Sequence, residues 1–207
     1  MNLPETMNKT PNDKTFVALQ NEILHLLQNG LPKHLHYHNV QHTLDVLQSS
    51  QDIAECYKLI TIDKWLLQAA ALLHDAGLIK TYKGHEEASV DIAHSKLPEF
   101  GFDQQEIDQV CDIILATKMP QQPNGLLAEI LCDADLDYLG RKDYFLGAHK
   151  LRLEWMQVYK HDESLKKWYR KQFEFLREHT YFTVCSKQSR ESGKQQNMQL
   201  IKGLLDL

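Results

Sequence analysis

Three separate stretches of the chain carry side chains able to hold a metal ion or move a proton. The first is YHNVQH, Tyr37 to His42, with His36 just ahead of it. On a helix, residues i and i+4 share a face, so His38 and His42 would point the same way, one turn apart. The second is His74-Asp75, which ends the apolar stretch WLLQAAALL, Trp65 to Leu73. Polar side chains at the end of an apolar helix are costly unless something satisfies them. The third is LCDADLDYLG, where Asp133, Asp135 and Asp137 alternate inside an apolar segment. On a helix, Asp133 and Asp137 share a face and Asp135 points elsewhere. If Leu131, Ala134 and Leu136 are buried, at least one carboxylate goes inward with them and needs a cation or several donors.

His42, His74, Asp75 and Asp135 thus offer two imidazoles and two carboxylates from three segments. That set suits Mn²⁺, Fe²⁺, Zn²⁺ or Mg²⁺ with positions left for water, and its lack of sulfur disfavours a structural zinc site. Open positions are what metal-assisted hydrolysis requires, because the ion activates water and polarises a phosphoryl oxygen. Blander readings exist for each residue. In a chain with 11 histidines, His38 also fits a surface or capping position, and a lone buried histidine is ordinarily hydrogen-bonded structure.

The elements that must position these groups read as helices. Phe16, Leu19, Ile23, Leu26 and Leu27 follow a helical period that Gly30 and Pro32 end. A second helix starts near Asn39 and carries Val46, Leu47, Ile53, Ala54 and Tyr57. Trp65 to Leu73 is apolar nearly all round and predicts a buried central helix. Further helices are predicted from Glu86 to Leu97, around Ile107 to Ile114, from Leu126 to about Leu139, and from Tyr144 to about His179. No segment alternates in the manner of a strand, so the fold class is all-α. The polar run Ser186 to Asn197 reads as loose, and the final MQLIKGLLDL as a docking helix or a partner surface. One domain over 1–207 is expected, with a metal-binding core at about 35–140 and a helical extension at about 141–207.

Composition narrows the function classes. The 207 residues are 43% hydrophobic and 25% charged, which suits a folded domain with its own core. A formal net charge of −5 and no long basic run argue against nucleic acid as the main ligand. No apolar run approaches the roughly 20 residues a bilayer needs, and the N-terminal MNLPETMNKTPNDK has no secretory core. Cys56, Cys111, Cys132 and Cys185 are scattered without a CxxC, which predicts reduced thiols in a cytoplasmic protein. Nothing in the sequence excludes a homodimer.

The order His…His-Asp…Asp in an all-helical chain resembles the HD superfamily of metal-dependent phosphohydrolases. The likeness covers about Leu35 to Gly140 and rests jointly on YHNVQHTLDVL, HDAG and ADLDYLG. It implies an HD-domain helical bundle holding one or two divalent ions (Mn, Mg, Fe or Zn). It also implies His42, His74, Asp75 and Asp135 as ligands, with Asp135 rather than Asp133 closing the set. The DAD…LG wording and the HEExS segment look most like small bacterial HD hydrolases of no assigned activity. YHNVQHTLDVLQ is similar to a segment of cyclic-nucleotide phosphodiesterases, which implies His38 as proton donor to the leaving oxygen. An imidazole one turn from a ligand lies about 5–6 Å away at Cβ, close enough for that role. Those enzymes carry a further histidine after their HD pair and have a larger catalytic domain, so the likeness concerns chemistry and not substrate.

The resulting expectation is hydrolysis of a phosphoester or phosphoanhydride of a small molecule, with a nucleotide as the substrate class implied by the family. Asp75 holds the ion in this scheme. In KGHEEAS, the resemblance makes His85 eligible as an extra metal or substrate residue, and Glu86 as a base or support. The same acidic residues equally suit a helix N-terminus. Asp45, one turn beyond His42, is placed to orient a ring. Lys80, Lys83, Lys118 and Arg141 flank the motifs as candidate phosphate clamps, led by Thr117-Lys118. Trp155, Trp168, Tyr169, Phe173 and Phe175 suit either a base pocket or a core. Two rivals remain. One is a nucleotide-binding sensor without turnover. The other is a di-iron oxygenase, for which only His85 and His94 could serve a second iron.

Overall fold

Apolar periodicity resolves into helices throughout the computed structural model, which describes residues 13–205. Among these residues there are nine α-helices and no strand, so the all-α expectation holds. They are α1 (Asp13–Gly30), α2 (Val40–Ala54), α3 (Thr61–Leu73), α4 (His85–Lys96), α5 (Gln104–Leu115), α6 (Leu126–Asp135), α7 (Tyr144–Val158), α8 (Leu165–Glu178) and α9 (Val184–Leu205). No helix among the described residues is long and apolar enough to cross a membrane. Most of the polar N-terminal stretch, and the last two residues, lie outside the described residues.

The centre is α3. Leu67, Leu72, Leu73 and the alanines 69–71 are at most 1% exposed, and α1, α2, α5 and α6 pack around them. A helix apolar on every face is stable only when surrounded. His74 and Asp75 follow its last residue, so they enter the interior because the helix does.

Local chemistry sets the entries to the other site elements. Asn39 caps α2, its side chain accepting from the Gln41 and His42 N–H groups. The cap corrects one expectation. His38 precedes it, so His38 and His42 do not share a helical face, although their rings still meet edge to face with centroids 5.5 Å apart. Gly84, at φ +74°, supplies the left-handed residue that starts α4.

A second apolar cluster lies beyond α6. It joins Leu136, Leu139, Tyr144, Ala148, Leu176, Ile201 and Leu205 from the last helices. The single helical stretch expected from Tyr144 to His179 is two helices, broken around Lys160 at φ +49°. The loose tail expected over Ser186 to Asn197 is instead part of α9. Its buried positions are polar, so they left no apolar period to read. Asn197 Nδ2 donates to the Leu139 and Arg141 carbonyls at 2.9 Å, and Lys194 Nζ donates to the His179 carbonyl at 2.6 Å.

The expectation of four reduced thiols is also corrected. Cys56, in the turn after α2, is disulfide-bonded to Cys185 at the start of α9, 129 residues away, while Cys111 and Cys132 are free and buried. A pairing made by the docking of two distant elements has no signature in spacing.

α9 crosses the Asp137–Gly140 turn at a glycine pair: a Cβ at Gly193 would lie 2.0 Å from the Gly140 oxygen. Helix propensity alone would make Gly193→Ala stabilising by up to ~1 kcal/mol. The contact reverses the sign, and a loss of roughly 1–3 kcal/mol is expected in denaturant unfolding.

Candidate metal centre and adjoining cavity

Four donor atoms from three elements meet below the end of α3. His42 Nε2, from the first turn of α2, lies 3.4 Å from His74 Nε2. Asp135 Oδ1, from the last residue of α6, is 3.2 Å from the His42 nitrogen and 3.6 Å from that of His74. Asp75 Oδ2 is 3.5 Å and 3.4 Å from the same two atoms. It is buried and has no hydrogen-bond partner. Ligands at about 2.1 Å from a common ion stand roughly 3.0–3.5 Å apart in octahedral or tetrahedral arrangement. His42, His74 and Asp135 therefore fit a divalent cation, and the orphaned Asp75 oxygen faces the same imidazole pair. The donor atoms of His42, His74 and Asp135 all lie within 4.8 Å of one another.

The surroundings orient each donor. His74 Nδ1 donates to the Ala71 carbonyl at 2.8 Å, which leaves Nε2 for the centre. His85 Nδ1 donates to the Tyr82 carbonyl at 3.0 Å, and its Nε2 lies 3.3 Å from Asp75 Oδ1. One Asp75 oxygen is thus held by His85 while the other faces the imidazole pair. Burial opposes charge on His74, but Asp75 and Asp135 outweigh it and push its pKa up to about 9. Burial likewise opposes charge on Asp75, and the His74 and His85 rings hold its carboxyl well below the usual range.

Ser89 clips α4 beneath this group. Its hydroxyl accepts from the Gly77 N–H at 2.8 Å and donates to the His74 carbonyl at 2.7 Å. Gly77 lies so close to α4 that a Cβ would stand 1.9 Å from the His85 oxygen. This explains the glycine of HDAG.

The three aspartates of α6 and its following turn all go inward, to different partners. Asp133 accepts from the Phe182 and Thr183 N–H groups at 2.8 Å and from the Thr183 hydroxyl at 2.6 Å. Asp137 accepts from Arg190 Nε at 2.6 Å. Asp135 is the one turned to the imidazoles. The α-helix ends at Asp135 and tightens into the Asp137–Gly140 turn, so the helical face expected to pair Asp133 with Asp137 does not form.

A cavity of about 540 Å³ adjoins the centre. It brings together His38, Asp75, His85, Glu86, Lys118 and Asp135 among the expected site residues. Glu86 is buried in the wall, 3.7 Å from His85 Nδ1. Lys118 pairs with Glu87 at the exposed rim. Trp155 and Phe175 line the cavity with Tyr82 and Tyr159, whereas Trp168 is buried at 1% exposure. Arg141 lies elsewhere. It is paired with Asp143 and near Asp45, in a cleft on the other side of His42 and Asp135. Asp45 accepts from Gln41 and touches neither imidazole. His94 is exposed on α4.

One residue of this region escaped the sequence reading. Glu154, on α7, is 0% exposed. Its Oε2 accepts from the Tyr37 N–H at 2.9 Å and the His38 N–H at 3.0 Å. Its Oε1 accepts from the Tyr82 hydroxyl at 2.9 Å and pairs with His38 Nδ1. Burial disfavours the charged His38 ring, but the Glu154 bond prevails and raises its pKa. Burial would raise Glu154, and the His38 bond with the two backbone donors lowers it instead. The available signal was a carboxylate in the apolar row of Leu151, Trp155 and Val158.

A family model for the HD domain matches residues 39–137. No curated protein matches the chain. Among solved structures, a predicted HD superfamily hydrolase from an uncultured Thermotogales bacterium is 21% identical with a TM-score of 0.62. It covers 100% of this chain and 98% of its own. Bacillus subtilis YpgQ, solved in complex with ADP, is 19% identical with a TM-score of 0.64, covering 92% and 95%. At these identities the likeness is one of fold.

Gly77→Ala adds one methyl group at a site where it meets backbone. The variant is expected to fold with α4 displaced and to retain much less Mn²⁺ or Zn²⁺ than the parent, measured by elemental analysis after gel filtration. Equal metal content would contradict the packing argument.

Proposed function

We propose that this chain, whose residues 39–137 form an HD domain, hydrolyses a phosphoester or phosphoanhydride with the help of a divalent metal ion. The observation that carries the reading is the approach of His42, His74, Asp75 and Asp135 to one point beside a cavity that also holds His38. These four residues would hold the cation (Mn, Mg, Fe or Zn). When bound, it would lower the pKa of a water and polarise a phosphoryl oxygen.

The chain's own groups supply the rest. His38, with Nδ1 on Glu154, has Nε2 left for the cavity. As the bond from phosphorus to the leaving oxygen breaks, its electron pair stays on that oxygen and the His38 proton joins it. The attacking water forms the new P–O bond, and Glu86 in the cavity wall is the candidate to take its proton. Lys118 at the rim is placed to meet a further anionic group, and His85 keeps Asp75 in orientation.

The substrate class is a small phosphorylated molecule, with a nucleotide favoured. Aromatic rings line the cavity, and a structure of similar fold, YpgQ, was solved with ADP. A base has flat apolar faces for such rings, while its phosphates need the cation and the rim lysine. On this reading the protein works as one unit, since the cavity draws walls from both the HD domain and the helices after it.

The test is a panel of nucleotides and sugar phosphates run beside elemental analysis. His42→Ala and Asp75→Ala are expected to lose both metal and turnover. Full turnover by a metal-free Asp75→Ala protein would sink the proposal. His38→Asn is expected to keep its metal and lose roughly 10²–10⁴ in kcat. Unchanged turnover on a poor leaving group would remove His38 from the reaction.

A further inference from the structure

We infer that Glu154 is a positioning residue of the reaction: its buried carboxylate holds His38 with Nδ1 protonated and Nε2 presented to the cavity. The inference rests on the reading of His38 as proton donor and adds a second half to that donor, delivered by α7.

The argument starts from cost. Glu154 is fully buried, in a row of α7 otherwise made of Leu151, Trp155 and Val158. An apolar residue there would pack without desolvating a charge. A buried carboxylate survives only if its lone pairs are filled, and here they are filled by four donors, none of them a lysine or arginine.

The two oxygens divide the work. Oε2 takes the consecutive backbone N–H groups of Tyr37 and His38, which fixes the segment ahead of α2. Oε1 takes the ring of the same histidine together with the Tyr82 hydroxyl. One carboxylate therefore fixes both the backbone and the side chain of His38. An imidazole that donates Nδ1–H to a buried carboxylate is held in one orientation. The ring is on the cavity wall, so the proton it gives up is the one carried on Nε2, while Nδ1–H stays on Glu154.

Position along the chain supports the same division. The proposed metal ligands all fall within residues 39–137, the stretch that matches the HD domain. His38 precedes that stretch and Glu154 follows it. Proton delivery is therefore assembled from outside the metal-holding segment, and the two functions are separable by mutation.

Glu154→Gln tests this because of the way its oxygens are used. The two backbone donors require an oxygen, so the amide NH₂ is left facing His38 Nδ1 and donates to it. Nδ1 should therefore lose its proton. In ¹⁵N-labelled full-length protein, the His38 ring, assigned by its loss in His38→Asn, should be protonated at Nδ1 in the parent and unprotonated there in Glu154→Gln. A parent ring unprotonated at Nδ1, or a variant ring protonated at Nδ1, overturns the inference. The parent spectrum decides even if the variant fails to fold.

Turnover gives a second reading on two esters. 4-Nitrophenyl phosphate has a leaving oxygen that needs little proton help, and adenosine 5′-monophosphate has an alkoxide that needs much. Glu154→Gln should retain the parent's metal and lower the ratio of kcat on the nucleotide to kcat on the nitrophenyl ester by roughly 10-fold or more. The double variant with His38→Asn should fall no further than His38→Asn alone. An equal loss on both esters, or multiplying losses in the double variant, would mark Glu154 as merely structural. If the parent hydrolyses neither ester, the proposed reaction is what has failed, and the ring-nitrogen spectra still judge Glu154.

Discussion

A helix buried on every side ends in an imidazole and a carboxylate, and the surrounding structure is what makes that ending tolerable. α3 drives His74 and Asp75 inward because Leu67 to Leu73 cannot face water. Once inside, the pair needs partners. His42 and Asp135 approach from α2 and α6, Ala71 takes the His74 Nδ1 proton, and His85 takes one oxygen of Asp75. Polar groups forced into a core organise their neighbours more strictly than apolar ones, since each lone pair and each proton has a direction.

The same principle recurs away from the metal centre. Asp133 is buried and filled by the backbone and hydroxyl of Thr183 and the Phe182 N–H. Asp137 takes Arg190, and Asn197 ties α9 to the turn that follows Asp137. The helices after α6 are therefore joined to the helices before them largely through satisfied buried polar groups, with the Gly140–Gly193 approach and the Cys56–Cys185 bond beside them. Glu154 belongs to this pattern and differs in what it reaches, which is the ring on the cavity wall.

The arrangement separates two tasks. The side chains able to hold a cation come from helices that pack tightly on α3, where position is set by an apolar core. The residues proposed for proton delivery and for cavity walls come partly from α7 and α8, whose own apolar cluster lies apart. Such a division lets the outer helices change the cavity without disturbing the His42, His74 and Asp135 group.

Sequence alone was enough for the elements with local causes. The buried α3, the start of α2 at Asn39 and the all-helical class follow from periodicity and capping, each confined to a few neighbouring positions. Tertiary structure decided whatever depends on two distant segments meeting. It turned Asp135 rather than Asp133 toward the imidazoles and placed Arg141 outside the cavity. It folded the polar run Ser186 to Asn197 into α9, and it set Glu154 against His38 across 116 residues. The physical reason is common to all of these. Burial of a polar group is permitted by its partner, and a partner far along the chain leaves no mark on the residues beside it.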